Sequence, residues 1–385
     1  MKLASKSIAL LVGTIVFTSL VSGTFIYNNQ YAMIKKSKNQ ELALVAKVVQ
    51  TSLQSRADNS LSKASLIGNI PLVRESFRNG NRDQLIGLLS ETVNAQYDSY
   101  GLRSASFFYP PASTFLVLRD LKRPVGEDVS SYRDMLTAAI RRQEPQQGIE
   151  IGRSGISLRG VFPVKDAQGL IGVFDYGMDF SDLANDIKRI TGYEVGVFVD
   201  NELMSKISLN ASKPESEYII GGMRNVQATD WKVIKAVTNS GLLAQMNDTK
   251  FTSATVNRSE YDVMSMPLSD FGGRQIGVLV ATQASGFQKQ TNQVLLNVAL
   301  LTLLQTIIIS GVGVILIRGA FIRPLAELGR VLNSLEQEQT EAVAALDKSI
   351  VNRKDEIGKL AKSIEIIQNK QQADKQVPER TVDGK

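Results

Sequence analysis

Two long stretches without charge constrain this chain more than any other feature. No charged residue occurs at 7–34 or at 291–317, and both stretches are mostly apolar. About 20 apolar residues are enough to cross the hydrocarbon core of a bilayer as a helix. The sequence therefore predicts transmembrane helices at 7–30 and 291–317, with residues 31–290 forming a domain on one side of the membrane.

The charges that flank these stretches predict the orientation. Lys2 and Lys6 precede the first stretch, and Arg318, Arg323 and Arg330 follow the second. Because Lys and Arg accumulate on the cytoplasmic side, we expect residues 1–6 and the C-terminal tail in the cytoplasm. A cleaved signal peptide is the alternative for the first stretch, since two lysines precede an apolar run there.

The composition excludes several kinds of chemistry. The chain has no Cys and no His, so it has no disulfide, no thiolate nucleophile, no Ser-His-Asp triad and no phosphorylatable histidine. We therefore expect no catalytic residue, no metal site and no cofactor. The net charge of +6 is modest and not clustered, so we expect no nucleic-acid partner.

A strand–turn–strand pattern occurs twice in the middle of the chain, at 159–173 and at 262–278. Each copy has a Pro near the end of the first strand and Ile-Gly-Val in the second. The two prolines, Pro163 and Pro267, are separated by nearly the same number of residues as the two Ile-Gly-Val runs. An internal repeat of this kind indicates two copies of one module.

The pattern around these hairpins mixes helix and strand. Apolar residues recur at helical spacing over 35–68, which predicts a long stalk helix. Short β runs are bounded by turn residues. The further predicted elements are strands at 103–108, 115–119 and 193–200 and a helix at 180–191 that ends at Gly192. The sequence therefore predicts an α+β fold.

Two segments, 125–133 and 148–163, resemble the double Cache sensory domain of bacterial receptors, and the resemblance covers about 35–290. The core at 155–160 is also similar to a motif of citrate and C4-dicarboxylate sensor kinases. The resemblance implies two tandem PAS-like Cache modules after a stalk helix. The expected boundaries are 31–68 for the stalk helix, about 69–200 for the membrane-distal module and about 201–290 for the membrane-proximal module.

The same resemblance implies that Ser157 and Arg159 line the pocket for a ligand carboxylate. In a strand these two side chains share one face, and the planar guanidinium of Arg fits a carboxylate. The alternative is a cross-strand ion pair: if Val164 faces Leu170, then Arg159 lies opposite Asp175. The weaker candidates for ligand binding are Arg119, Tyr132, Arg133 and Tyr176. The second module has no comparable basic pair and is expected to transmit the signal.

The tail carries two apolar series with 3, 4, 3 spacing, at 325–335 and 357–367, which is typical of a coiled-coil seam. Residues 318–370 resemble a HAMP domain, a parallel four-helix bundle of two chains that transmits signals. The residues that carry this resemblance are Pro324, Asp355, Glu356 and Gly358.

A second interpretation of the tail is a single long, interrupted helix of a dimeric coiled coil. It arises because 336–354 contain neither Gly nor Pro and are predicted to be helical. In either case a second copy has to bury the seam, so we expect a homodimer. Residues 371–385 are predicted to be disordered, without an output domain.

These predictions favour a receptor in the bacterial inner membrane, with its sensory domain in the periplasm. We expect a small organic anion to bind the distal module. The signal then reaches a separate cytoplasmic signalling protein, or a full-length receptor with which the chain forms a heterodimer. The alternatives are an accessory or scaffold protein whose outer domain binds another protein, and the sensor half of a truncated chemoreceptor or sensor kinase.

Overall fold

The computed structural model describes residues 2–209, 215–245, 247–336 and 346–375. The chain divides into two compact units, Ile34–Lys289 and Met1–Met33 with Gln290–Lys385. The helices in chain order are α1 Lys2–Gly68, α2 Pro71–Arg78, α3 Arg82–Tyr100, α4 Asp134–Arg142, α5 Ser181–Thr191, α6 Asn201–Ile207, α7 Trp231–Val237, α8 Phe287–Ile317, α9 Arg323–Glu336, α10 Lys348–Val351 and α11 Glu356–Lys375.

The first sheet of the unit Ile34–Lys289 has five antiparallel strands in the order β2-β1-β5-β4-β3. The predicted hairpin over 159–173 is confirmed, because β4 and β5 pair around a turn at 167–168. The strands are β1 Leu102–Tyr109, β2 Ser113–Val117, β3 Gln146–Gly152, β4 Gly155–Asp166 and β5 Gly169–Met178.

The second sheet repeats this order. Its strands run β7-β8-β6-β11-β10-β9, so β8-β6-β11-β10-β9 matches β2-β1-β5-β4-β3 with β7 added at one edge. The second predicted hairpin is also confirmed, as β10 pairs with β11. The strands are β6 Glu194–Asp200, β7 Ile219–Ile220, β8 Met223–Ala228, β9 Lys250–Val256, β10 Ser259–Ser269 and β11 Gln275–Ala284. The α+β fold with two tandem modules is therefore confirmed.

The expected boundary between the modules at residue 200 is wrong. Strand β6 ends at that residue, but it pairs with β8 and β11 and so begins the second sheet. The chain changes sheet at Gly192, which ends α5 in the left-handed conformation with φ of 78°, as a glycine at a helix C-terminus commonly does. The predicted helix 180–191 and the strand that follows are confirmed, but the strand belongs to the proximal module.

Helix α1 packs along both sheets. Leu42, Val45 and Val49 are buried against the second sheet, and Ala64 is buried against the first. A Cβ on Gly160 of β4 would lie 2.2 Å from the backbone of Leu61, so the strand needs glycine to approach the helix this closely. The predicted helix over 35–68 is confirmed as the outer half of α1.

Helices α2 and α3 have no counterpart in the sequence-based prediction. Pro71 opens α2 at its first helical position, where proline is favoured because the first turn lacks an N–H partner anyway. The side chain of Asn81 caps α3 by accepting from the backbone N–H of Gln84, and Gly101 ends the helix with φ of 66°. These local start and stop signals are enough to place both helices.

The unit Met1–Met33 with Gln290–Lys385 contains two helices that are long and apolar enough to cross a membrane, within α1 and α8. They pack against each other through small residues. A Cβ on Gly23 would lie 2.7 Å from the hydroxyl of Thr302, and one on Gly313 would lie 3.0 Å from Leu11. A π-helical turn, Arg318–Ile322, follows α8 and leads into α9.

The tail contradicts part of the helix predicted over 336–354. Residues 337–345 lie outside the described part of the chain. After them Leu346 and Asp347 are not helical, α10 has four residues, and 352–355 are irregular. The side chain of Asp355 accepts from the backbone N–H of Gly358 at 3.0 Å, which starts α11 separately. The continuous helix is therefore interrupted in the described residues.

The predicted disordered tail at 371–385 is partly corrected as well. Helix α11 continues to Lys375, and residues 376–385 lie outside the described part of the chain. Within the tail, α9 and α11 bury one side against each other, including Leu328 and Ile364.

Candidate functional site

A cavity of about 470 Å³ opens on the face of the first sheet that lies away from α1. Strand residues Ser104, Arg159 and Asp175 form its floor. The second module also contributes, with Met204 from α6 and Arg224 from β8. The cavity therefore lies between the two modules. The sequence had predicted a pocket within the distal module alone.

The lining is strongly cationic. Among the described residues seven arginines but only three carboxylates line the cavity. Such an excess favours an anionic occupant, because the charges act together in a partly desolvated space. The arginines are Arg103, Arg119, Arg123, Arg133, Arg153, Arg159 and Arg224, and the carboxylates are Asp120, Glu127 and Asp175.

Arg159 forms an ion pair with Asp175, but in a different register from the one we predicted. Val164 lies opposite Gly172 because the register shifts between Val164 and Lys165, and this places Arg159 opposite Gly177. The guanidinium reaches Asp175 diagonally, with Nη1 at 2.6 Å from Oδ2. The side chains of both residues are 1% exposed. The ion-pair alternative thus describes the partner of Arg159 correctly and its geometry incorrectly.

Two glycines leave room for this guanidinium. A Cβ on Gly177 would lie 3.2 Å from Nη1 of Arg159, and a Cβ on Gly152 would lie 2.6 Å from Nη2. Nη1 also donates to the hydroxyl of Ser104 at 2.8 Å. The Nε of Arg159 is buried and has no hydrogen-bond partner among the described residues, so one donor of this side chain is left over.

A second buried arginine extends the network. Arg133 donates from Nε to Glu150 at 2.6 Å, and its Nη2 lies 3.0 Å from Asp175. Glu150 also accepts from the backbone N–H of Met135 at 2.8 Å. Arg133, Arg159, Asp175 and Glu150 therefore form a group of two cations and two carboxylates that balances its own charge.

Burial and neighbouring charges act differently on the two arginines. Burial alone would lower the pKa of Arg133, but Asp175 and Glu150 outweigh burial and raise that pKa. For Arg159 burial prevails and lowers the pKa, because Asp175 offsets only part of the desolvation cost and Arg133 adds a like charge.

The cavity brings together four of the six predicted ligand-binding residues: Arg159, Arg133, Tyr132 and Arg119. Burial raises the pKa of Tyr132, so its hydroxyl remains a donor, and the Arg153 guanidinium lies 4.8 Å from the centre of its ring. Arg119 donates to Asn94 at 3.1 Å and forms no ion pair with a described carboxylate.

Ser157 and Tyr176 do not line the cavity. Ser157 shares the face of Arg159, but it is fully buried, with its hydroxyl beside Gly177. Tyr176 lies on the opposite face of the sheet, toward α1, where its hydroxyl donates to Gln96 at 3.0 Å. Its neighbour Asp175 points into the cavity because successive side chains alternate along a strand. Tyr176 therefore packs in the core and does not face this cavity.

Sequence reasoning missed Arg103 and Arg224. The Nε of Arg103 is buried without a hydrogen-bond partner among the described residues, and Arg103 forms no ion pair with a described carboxylate. Alternation along β1 marks Ser104 and Ser106 as a polar face, but it would place the adjacent Arg103 on the opposite face. The register against β5 shifts between Leu102 and Ser104, so regular alternation does not point to Arg103. No local pattern points to Arg224, which arrives from the other module.

The turn between β10 and β11 docks beside this network. The backbone N–H of Phe271 donates to the carbonyl of Ile149 in β3 at 2.9 Å. Its ring packs against a cluster that includes Met135 and Val161. A smaller cavity of about 270 Å³ adjoins the turn and is lined by both Tyr132 and Glu150. The proximal module therefore touches the wall of the main cavity.

No cluster of three or more potential metal-ligating side chains occurs within the described ranges. The arrangement can bind and orient an anion through guanidinium and hydroxyl donors. The two sheets of one strand order are two copies of one module in series, with a cationic cavity between them.

The comparison with known families places this domain. Residues 35–285 match the family dCache_3, described as the double sensory domain of two-component sensor kinase. The match covers well over half of the chain, and the chain belongs to this family. A search of curated protein sequences gives no match.

Solved structures of sensory domains are similar in outline. The sensory domain of the Campylobacter jejuni chemoreceptor Tlp3 is 12% identical, with 69% of this chain and 98% of that chain covered and a TM-score of 0.39. The isoleucine-bound form of that domain is 11% identical, with 68% of this chain and 97% of that chain covered and a TM-score of 0.37. The sensor domain of the Vibrio cholerae histidine kinase DctB is 10% identical, with 66% of this chain and 98% of that chain covered and a TM-score of 0.39.

Proposed function

We propose that this chain is a two-pass membrane receptor that binds a small organic anion in the cavity between its modules. The single observation that carries the proposal is the cationic lining of the 470 Å³ cavity. A volume of this size suits a small molecule, since ligand pockets span roughly 300–1,000 Å³. Membership of a sensory-domain family supports the same function.

The arginines that line the cavity differ in their partners, and this difference supports an assignment of ligand contacts. Arg133 and Arg159 are engaged by Asp175 and Glu150. Arg103 and Arg119 form no ion pair with a described carboxylate and border the same space. We assign the direct contacts with the anion to Arg103, Arg119 and the Tyr132 hydroxyl. Arg159 then contributes its unused Nε from the floor.

The β10–β11 hairpin supplies a route for transmission. Its turn packs against Met135, whose backbone N–H is held by Glu150 of the charged network. The other end of β11, Ala284, is three residues from the start of α8 at Phe287. A ligand that shifts Arg133 or Glu150 would move the hairpin and with it the beginning of α8. The ligand can change the equilibrium between the two hairpin positions only by as much as its affinities for them differ.

A homodimer is part of the proposal. Leucines and an isoleucine stay exposed on the tail at intervals of one heptad, Leu325 with Leu332 on α9 and Leu360 with Ile367 on α11. Their exposed fractions are 44–49%. The opposite sides of both helices are already buried against each other. A second copy of the tail, in the HAMP-like arrangement, would cover the exposed rows and present the signal to a cytoplasmic protein.

The test is an anion titration of the full chain in lipid nanodiscs. A panel of small carboxylates and phosphates is screened by thermal unfolding, with the neutral amide of each hit as a control. The single Trp, Trp231, is a second probe, because its ring stacks on Tyr218 at 5.0 Å and Tyr218 lines the cavity. A true ligand at about 100 times its Kd adds about 2.7 kcal/mol of stability.

Arg103→Ala should weaken binding by about tenfold or more, as expected for loss of a charged hydrogen bond. Arg142→Ala is the matched control, because Arg142 is exposed at the end of α4 and does not line the cavity. A panel without any stabilising anion, or equal affinity in Arg103→Ala and wild type, contradicts the proposal and favours an outer domain that binds another protein.

A further inference from the structure

The second candidate span has one face that the chain itself covers. Thr302, Thr306 and Ser310 are half-buried along α8, and Thr302 lies against Gly23 of α1. The Thr306 hydroxyl donates to the Thr302 carbonyl at 2.7 Å. Small residues that let two helices approach closely are typical of contacts inside membranes. This face of α8 is therefore used within the chain.

A different face of α8 carries two exposed amides. Asn297 and Gln305 are exposed, as are Leu301 at 65% and Ile308 at 54%. At about 100° per residue these four positions fall within an arc of about 80°. The centre of that arc lies roughly 120–140° from the Thr302–Ser310 face. The amides thus point away from the first span of the same chain.

These amides have no hydrogen-bond partner among the described residues, and hydrocarbon offers none. The three threonines of the first span are satisfied locally. Thr14, Thr18 and Thr24 donate to the carbonyls of Leu10, Thr14 and Leu20 at 2.9–3.0 Å. A side-chain amide is both donor and acceptor, so the same amide on another chain, at the same depth, is a complementary partner.

We propose that α8 of one chain contacts α8 of a second copy in parallel, with Gln305 and Asn297 hydrogen-bonded across the interface. The inference rests on the proposed placement of α8 in the membrane. A two-fold axis along the membrane normal brings identical residues together at equal depth, which is the geometry that paired amides need. Interhelical polar contacts of this kind stabilise association inside membranes.

The absence of Cys from the chain makes a clean test available. Single cysteines are introduced into the full chain in native membranes, and disulfide-linked dimer is measured after mild oxidation. Leu301→Cys and Ile308→Cys should cross-link several-fold more than Thr306→Cys, the control on the face toward the first span. Adding Gln305→Leu to Ile308→Cys should weaken the dimer about threefold or more, whereas Gln305→Asn, which keeps an amide, should retain most of the cross-linking.

Cross-linking that peaks at Thr306→Cys, or is unaffected by Gln305→Leu, would overturn the inference. Leu332→Cys in α9 separates this failure from a failure of the homodimer itself. Dimer from Leu332→Cys without dimer from Leu301→Cys and Ile308→Cys means that the chains associate through the tail alone. No dimer from any of the positions contradicts the proposed homodimer as well.

Discussion

The two modules share one strand order and differ in what fills the face away from α1. In the distal module that face carries Arg159 and Asp175. The strand pairing assigns their equivalents in the proximal module. Arg159 corresponds to Val263, because they lie opposite the equivalent residues Gly177 and Thr282. Asp175 corresponds to Val280. A buried ion pair in one module is thus a pair of buried valines in the other.

The surrounding residues follow the same division. In the proximal module Val263 and Val280 pack with Phe198 and Ile234, and a Cβ on Gly196 would lie 2.5 Å from Ile234. That face is closed by apolar side chains. In the distal module the charged pair and the serines beside it border the 470 Å³ cavity.

Under the proposed function, this difference would let one fold serve two roles. A filled apolar core is rigid and carries no desolvation penalty for charges. A buried ion pair loses hydration free energy, and its Coulombic attraction offsets that loss only in good geometry. The distal module carries that cost and keeps an open cationic space. The proximal module packs its equivalent face and connects the cavity wall to α8.

The largest expected effect comes from making the distal module resemble the proximal one. Asp175→Val should destabilise the protein by about 3–5 kcal/mol, because it leaves the buried cations Arg159 and Arg133 short of a partner. Val280→Ala, at the equivalent position, should cost only about 1–3 kcal/mol. The free energies of unfolding are measured by urea titration with Trp231 fluorescence.

The double variant Arg159→Val with Asp175→Val sharpens this comparison. It should recover part of the loss seen in Asp175→Val alone, since no uncompensated charge remains on the floor. A double variant that is as unstable as the sum of the two single variants would show that the ion pair is not the source of the difference between the modules.

An intermediate effect is expected at the contact between the modules. Phe271→Ala should cost about 1–2 kcal/mol, less than a fully buried Phe, because the ring is only half-buried. Anion binding should persist, but a spin label at Gln290→Cys should no longer respond to the ligand. Phe251→Ala, at a ring that is 41% exposed on an edge strand, is the control. A ligand response that survives Phe271→Ala contradicts transmission through the hairpin.

The smallest effect concerns the helix-facing side of the first sheet, where Tyr176 corresponds to Ala281 in the second. Burial raises the pKa of Tyr176 from 10.0 to about 12. The folded state therefore favours the protonated phenol. The contribution of this preference to the free energy of unfolding is complete below pH 10 and is lost between pH 10 and pH 12. The loss should be about 1–2 kcal/mol by pH 11.

Tyr176→Phe should flatten the alkaline slope of stability over that window and leave the slope between pH 7 and pH 9 unchanged. The pH dependence of stability is measured from the urea midpoints of both proteins across this range. An unchanged slope above pH 10 would mean that Tyr176 does not titrate with unfolding in this window.

Much of the fold followed from local patterns in the sequence. The helix ended by Gly192, both hairpins and the long α1 rest on periodicity and turn residues. The register of β4 and β5 did not, because a shift between Val164 and Lys165 is a local irregularity that spacing alone does not encode. The interruption of the tail helix was missed because Asp347 and Asp355 act as caps, without Gly or Pro.

The site was less predictable than the fold. Arg159 and Arg133 were found because they lie in recognisable strand and loop motifs, yet the structure engages both with carboxylates. Arg103 and Arg224 lie far apart in sequence and meet only through tertiary packing. Tyr176 was misplaced because adjacent strand residues face opposite sides, and its neighbour Asp175 occupies the cavity face.

The most direct test of the central claim is a calorimetric titration of a hit anion into the full chain and two variants. Wild type and Val280→Ala should each bind one anion per chain with similar affinity. Arg159→Val with Asp175→Val, folded as judged by its urea transition, should bind at least tenfold more weakly, because the floor of the cavity has lost its guanidinium. Unchanged affinity in that double variant would contradict the assignment of ligand binding to the cavity between the modules.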